Sequence, residues 1–379
     1  MTRSWRTQKV LPKIYLDHVS TTRPDPEVLE TYFHLLRTQY SNSDALYDDG
    51  VTLYRLQEQS RARIAELLGV KAEEILFTSG ASEANNMALK GVAWKKRSGH
   101  IISSYYEHSS VYEALKQLQS HGFEVTLLKP GADGRIDPQK VAEALREDTI
   151  LVSIMQVNNE LGSINDISAI KKIVKKQSHA YFHCDITQAL GKTDVDLEDI
   201  DLASFSAHKI HGLKGSGVLV RKRHVEMEAL ISGGQQEFSL RGGTSNAPVN
   251  IVLAKTLRKA LEKQPAAAKR ISTLHAYLME RLKSLDGVRI NSPADGLANL
   301  VNISTPVKSE VMLNCLNLKG IMVSSKSTCG SRKSEVSRSL EAMGIDDEYA
   351  LRISLDAENT EAELDQLIRA LKESIEKYG

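Results

Sequence analysis

The chain has little cysteine, almost no net charge and no long apolar run, and each shortage excludes something. Cys184, Cys315 and Cys329 are the only cysteines in 379 residues. Three thiols are too few and too scattered for a disulfide framework, and without a C-x-x-C pair a structural zinc site is not expected. This usage points to a reducing, cytoplasmic setting. Lys and Arg total 49 against 48 Asp and Glu, a net charge of +1. Nothing electrostatic therefore directs the chain to nucleic acid or to an anionic membrane as a direct partner. No run approaches the ~20 apolar residues that a bilayer-spanning helix needs. The stretch 1–13 carries Arg3, Arg6, Lys9 and Lys13 but lacks the apolar segment of a secretory signal. What remains, 41% hydrophobic and 26% charged, is the makeup of a soluble globular protein.

The length exceeds the ~250–300 residues near which single cores stop growing, so two lobes are expected. Leu53, Leu56, Ile64, Leu67 and Leu68 fall at helical spacing and stop at Gly69, a natural C-cap. Ile75-Leu76-Phe77 reads as a buried strand, His100 to Ser104 as another, and Val111, Ala114, Leu115 and Leu118 as the next helix stripe. Short apolar runs recur at 123–128, 150–155, 181–184, 202–205 and 217–220. Strands alternating with helices predict an α/β fold with a mostly parallel sheet covered on both faces. After about Asn250 the character changes. One or two helices are expected over 251–285, then short strands near 288–290 and 300–303, then an amphipathic helix over 360–377. The expected division is a large domain over 14–255 and a smaller α+β domain made of 1–13 and 256–379.

Three constellations carry chemistry. In Phe77-Thr78-Ser79-Gly80-Ala81-Ser82-Glu83, a strand runs through a small-residue turn into a helix start. Unpaired first-turn N–H groups and the helix dipole make such a start an anion site, although an ordinary strand–turn–helix joint reads the same. In His183-Cys184-Asp185-Ile186-Thr187-Gln188, an Asp ends a strand, where open parallel sheets bind ligands. A lone Asp there more often caps the next helix. In Ser206-Ala207-His208-Lys209, a Lys follows a buried strand, and a desolvated amine condenses readily with an aldehyde. Together, an anion cradle, a strand-end carboxylate and a sheltered Lys are the three handles that pyridoxal phosphate requires.

With these constellations in place, the chain resembles the cysteine desulfurases of the NifS/IscS type, within the class V aminotransferase, fold-type I group. The blocks FTSGASEANN, EHSSV, VNNELG, HCDITQALGK, SFSAHKIHGLKG, RGGTSN, SSKSTCGS and LRISL occur in family order over almost the whole chain. The resemblance implies pyridoxal 5'-phosphate as cofactor, a large cofactor-binding domain with a mostly parallel sheet flanked by helices, and a smaller α+β domain carrying the cysteine loop. It implies Lys209 as the residue joined to the cofactor's aldehyde, Asp185 paired with the ring nitrogen, and Gln188 at the ring's phenolic oxygen. His108 is expected over the ring face as a proton shuttle. Ala81, Ser82, Ser206 and His208 are expected in the phosphate cradle. Thr244 matches a residue that reaches the phosphate from a neighbouring subunit, which implies a homodimer. Asn159 and Arg352 match positions that grip the amino acid's carboxylate, for which an Arg fork is suited.

Cys329 decides the reaction expected. It sits in a polar, small-residue stretch, Ser324 to Ser331, that reads as a mobile loop, and Lys326 nearby favours its thiolate. Cys184 lies within a buried strand and Cys315 in an apolar helical context, so both read as packing groups. The resemblance implies that Cys329 takes sulfur from L-cysteine as a persulfide, leaves L-alanine, and hands the sulfur to an acceptor protein. That acceptor could be an iron–sulfur scaffold or a thiolation relay. The family's Tyr-Leu-Asp-Asn-Ala-Ala-Thr-Thr is here Tyr15-Leu16-Asp17-His18-Val19-Ser20-Thr21-Thr22, and Phe238-Ser239 replace a usual Arg-Gly. Around Asn42 to Gly50, where Ser43 and Tyr47 lie, the chain has lost a usual Pro and His. These departures leave three alternatives open: a selenocysteine lyase, another class V aminotransferase-type enzyme, or a catalytically weak sulfur-transfer scaffold.

Overall fold

The computed structural model describes residues 13–325 and 336–379. In chain order its elements are β1 (Ile14–Tyr15), α1 (Pro26–Thr38), α2 (Asp48–Leu68), β2 (Ile75–Thr78), α3 (Ala81–Lys96), β3 (His100–Ser104), α4 (Ser109–Ser120) and β4 (Glu124–Leu128). Then come α5 (Pro138–Ala144), β5 (Thr149–Ser153), α6 (Ile167–Gln177), β6 (Tyr181–Asp185), β7 (Leu202–Ser206), β8 (Gly217–Arg221) and α7 (Ala247–Lys283). The run closes with β9 (Arg289–Ile290), β10 (Leu300–Ser304), α8 (Ser309–Leu318), β11 (Ile321–Met322), α9 (Arg338–Ala342), β12 (Ala350–Ser354) and α10 (Glu361–Tyr378). None of the described helices is long and apolar enough to cross a membrane.

The chain divides into two units. The larger comprises Thr21–Asn159 and Ser163–Ala266; the smaller takes residues up to Ser20, Glu160–Gly162 and Ala267–Gly379. The boundary expected at 255/256 thus lies inside one continuous helix, α7, which runs on through Pro265. Residues 14–20 go with the small unit because their backbone pairs far along the chain. β1 lies parallel to β11 through Ile14↔Ile321, and Asp17 bridges Ser354. Such long-range pairing leaves no local signal.

The large unit is built on a seven-stranded sheet in the order β2-β8-β7-β6-β5-β3-β4. β8 runs antiparallel to both neighbours, while the remaining pairs are parallel. Six strands therefore share one direction. β2, β3 and β7 are buried at every residue, as expected of strands covered on both faces. On one face Leu76, Ile101, Leu151 and Leu202 pack with Met87 and Val92 of α3 and with Val111 and Leu115 of α4. Each such side chain contributes about 1.5–3 kcal/mol by leaving water. Polar side chains inside the sheet pair with one another. His183 lies between Ser153 Oγ at 2.8 Å and Ser204 Oγ at 3.0 Å. Burial pushes that imidazole down to about 4, so it stays neutral within the sheet. The helix ends follow local chemistry. α2 stops at Gly69, whose left-handed φ of 66° lets its N–H close on the last turn.

The small unit has an antiparallel sheet, β12-β10-β9, and the β1–β11 pair. Leu274, Leu278 and Leu282 of α7 share its core with Val301, Ile303, Leu351 and Ile353, closed by Leu364, Leu367 and Leu371 of α10. A capping box of Thr360 and Glu363 starts α10.

Candidate active site

Strand direction gathers the chemistry of the large unit at one edge of its sheet. Ala81 and Ser82 follow β2, His108 follows β3, and Asn159 follows β5. Asp185 ends β6, with Gln188 just beyond it, and Ser206 ends β7 ahead of His208 and Lys209. All five strands run the same way, so these residues share the carboxyl edge, where open α/β sheets hold ligands.

Asp185 is buried, and each of its oxygens has a donor. Thr187 N–H reaches Oδ1 at 2.9 Å and Asn85 Nδ2 reaches Oδ2 at 2.8 Å. Asn85 also donates to Ser110 Oγ at 2.9 Å, and that hydroxyl lies 2.8 Å from His108 Nδ1. His108 caps α4, with Ser110 N–H donating to Nδ1 at 3.2 Å. Neither Asn85 nor Ser110 is singled out by the sequence alone. The available signal is Asn85 itself, a fully buried amide on the apolar face of α3 between Ala84 and Met87.

Across the turn after β2, Ala81 N–H donates to Ser206 Oγ at 2.7 Å. The serine's own hydrogen is thereby left to donate to an anion. A Cβ on Gly217 would lie 2.5 Å from Gly80 Cα, so only glycine lets β8 come this close to the turn. His208 N δ1 contacts Thr21 Oγ1 at 3.1 Å. Burial, then the nearby charges of Lys209, Lys214 and Lys192, push His208 down to about 4, so its imidazole is neutral. Lys209 is half-buried. Gln188 Oε1 accepts from Lys192 Nζ at 2.7 Å. Asn159 is buried, whereas Ser82 and Thr244 are exposed.

Glu107, beside His108, is a second group the sequence does not single out. Its Oε1 accepts from Ser104 Oγ and from Met155 N–H, while Oε2 is buried without a partner. Burial pushes this carboxyl up to about 8, so it carries its proton at neutral pH.

Arg352 belongs to the small unit, on β12. It is 2% exposed, and its Nη2 donates to Ser20 Oγ at 2.6 Å and Asp17 Oδ1 at 3.1 Å. Ser20 Oγ in turn donates to Asp17 Oδ1 at 2.8 Å. The hydroxyl in this clamp stands where the family motif carries Ala. Of the cysteines, Cys184 is fully buried on β6, and burial, with Asp185 adding, pushes its thiol well up into an inert form. Cys315 is half-buried on α8. Cys329, Lys326 and the loop reading attached to them lie outside the described residues.

The large unit's residues fit a flat, phosphate-bearing cofactor with a protonated ring nitrogen. Ser206 and the start of α3 provide anion donors amid Lys192, Lys209 and Lys214, and Asp185 provides an oriented carboxylate at the same sheet edge. This fold and donor set suit an α/β enzyme of the pyridoxal-phosphate kind. The chain belongs to the class-V aminotransferase family, whose model matches residues 14–367, and membership implies that cofactor in general. It is 38% identical over 377 residues to a NifS/IcsS protein homolog of Lactobacillus delbrueckii subsp. bulgaricus, covering 97% of this chain and 98% of the relative. It is 38% identical over 378 residues to the cysteine desulfurase IscS of Azotobacter vinelandii, covering 96% and 93%. Among solved structures, a NifS-like protein superposes with a TM-score of 0.90 at 36% identity, over 96% of this chain and 100% of that one.

Proposed function

We propose that this chain is a cysteine desulfurase, which converts L-cysteine to L-alanine and keeps the sulfur as a persulfide on Cys329. The observation that carries the reading is that Asp185, His108, Ser206 and Lys209 share the carboxyl edge of the large sheet in a chain of this family, which supports their assignment as the handles of pyridoxal phosphate. The resemblance to an IscS cysteine desulfurase supplies the substrate.

Bound pyridoxal phosphate supplies an electron sink for charge developing on the substrate's α-carbon. In this reading Lys209 tethers the cofactor and then moves the α-proton. Asp185, fixed by Asn85 and Thr187, pairs with the ring nitrogen. Gln188 contacts the ring oxygen and His108 covers the ring face. Ala81, Ser82, Ser206 and His208 hold the phosphate, with Ser206 giving the hydrogen that Ala81 leaves available. Asn159 and Arg352 grip the substrate carboxylate, Arg352 through a guanidinium oriented by Asp17 and Ser20. The Cys329 thiolate attacks the substrate sulfur, forming an S–S bond as the C–S bond breaks, and protonation of the carbon completes alanine.

A homodimer fits the exposure of Thr244 and of Leu46, Tyr47, Tyr54 and Phe238 on the large unit. An acceptor protein then takes the sulfur, in the cytoplasm. The reading predicts a yellow protein that forms alanine and, with a reductant, sulfide from L-cysteine. Lys209→Ala abolishes both. Alanine formation at the wild-type rate in that variant would refute the assignment, and a preference for selenocysteine would favour the lyase alternative.

A further inference from the structure

One buried amide ties together the two groups assigned to the cofactor's ring. Asn85 is fully buried and its Nδ2 faces both Asp185 Oδ2, at 2.8 Å, and Ser110 Oγ, at 2.9 Å. A carboxylate only accepts, so the amide's nitrogen and not its oxygen must face Asp185, and both N–H bonds are used as donors. Ser110 Oγ therefore receives a hydrogen from Asn85. Its own O–H is left for His108 Nδ1, 2.8 Å away, and Ser110 N–H points at that same nitrogen from 3.2 Å. Nδ1 is thus an acceptor twice over, and neutral His108 carries its hydrogen on Nε2.

We propose that Asn85 is a positioning residue that fixes the Asp185 carboxylate with one N–H and, through Ser110, holds His108 as the Nε2–H tautomer with the other. His108 then meets its ligand as a hydrogen donor. This rests on the reading that Asp185 and His108 contact the cofactor.

The two arms of the bridge separate by mutation. Losing the donor on Asp185 in Asn85→Ala weakens cofactor binding to the apoprotein by about tenfold and also lowers kcat. Ser110→Ala keeps the Asp185 arm: cofactor affinity stays at the wild-type value, while kcat falls by about fivefold at unchanged KM. Ser110→Thr, which keeps the hydroxyl, restores kcat. In the cofactor-free protein, nitrogen-15 spectra of labelled histidine show His108 with its hydrogen on Nε2.

A ring protonated on Nδ1 overturns the proposal. So does an Asn85→Ala protein that binds cofactor as wild type does while Asp185→Asn does not. If Asp185→Asn also binds as wild type does, the reading of Asp185 itself falls. Should Asn85→Ala fail to fold, the Ser110 pair decides: wild-type kcat in Ser110→Ala overturns the proposal, and loss with rescue by Thr supports it.

Discussion

Glu107→Gln in the apoprotein tests the electrostatics of the site on their own. The carboxyl is buried and pushed up from 4.5 to about 8, chiefly by desolvation. The sign follows from linkage. In the unfolded chain this carboxyl gives up its proton near 4.5, whereas the fold holds it until about 8, so stability is fullest below 4.5 and is lost as pH rises to about 8. At about 1.4 kcal/mol per pH unit, integrating from pH 5 to pH 8 gives a loss of about 3 kcal/mol from this group. Glutamine keeps the shape. Its oxygen takes the place of Oε1, facing Ser104 and Met155, and its amide takes the place of Oε2, which has no partner. That mismatch costs a constant amount at every pH. Urea unfolding of both proteins at pH 5 and pH 8 therefore isolates the titrating group as a difference of differences, to which the histidines contribute equally. The variant is expected to lose about 3 kcal/mol less than wild type across that interval. Equal losses, within about 0.5 kcal/mol, would show that Glu107 is ionised in the fold and refute the reasoning.

Three further outcomes follow from other contacts. Glu237 receives both Arg61 Nη atoms and the Phe77 N–H, and both charged groups are buried. Glu237→Ala is expected to cost about 3–5 kcal/mol in chemical unfolding, because the buried Arg61 loses its bidentate carboxylate and keeps only Glu58 and the Ile75 carbonyl. Ser239 sits at a φ of 64°, so Ser239→Gly is expected to raise stability by about 0.5–1 kcal/mol, read as a higher Tm. Arg352→Lys keeps the charge but not the fork, and is expected to raise KM for cysteine about tenfold with a smaller effect on kcat.

The sequence made the large unit legible because its strands are short apolar runs and its helices carry apolar stripes, with α2 stopping at Gly69, signals that local chemistry fixes. The strand ends that precede Ala81, carry Asp185 and precede Lys209 were legible for the same reason, since each is a short apolar run that stops at a turn. β1 and the assignment of residues 14–20 were not, because their partners, Ile321, Met322 and Ser354, lie more than 300 positions away. The boundary lies inside the long helix as expected, but at Ala266/Ala267 and not at 255/256, because α7 continues unbroken through Pro265 and gives no local signal of the division. Asn85, Ser110 and Glu107 were missed for a different reason. Their roles come from side-chain contacts across separate elements, and in the sequence they are ordinary polar residues inside the quoted blocks.

The central claim is that sulfur leaves L-cysteine and rests on Cys329. Incubation of the purified protein with a stoichiometric amount of L-cysteine, followed by alkylation and peptide mass measurement, tests it directly. The account predicts one added sulfur on the peptide containing Cys329, none on those containing Cys184 or Cys315, and an equal amount of alanine. Alanine formed at wild-type rate by Cys329→Ser, or sulfur carried by Cys184 or Cys315 instead, would contradict it.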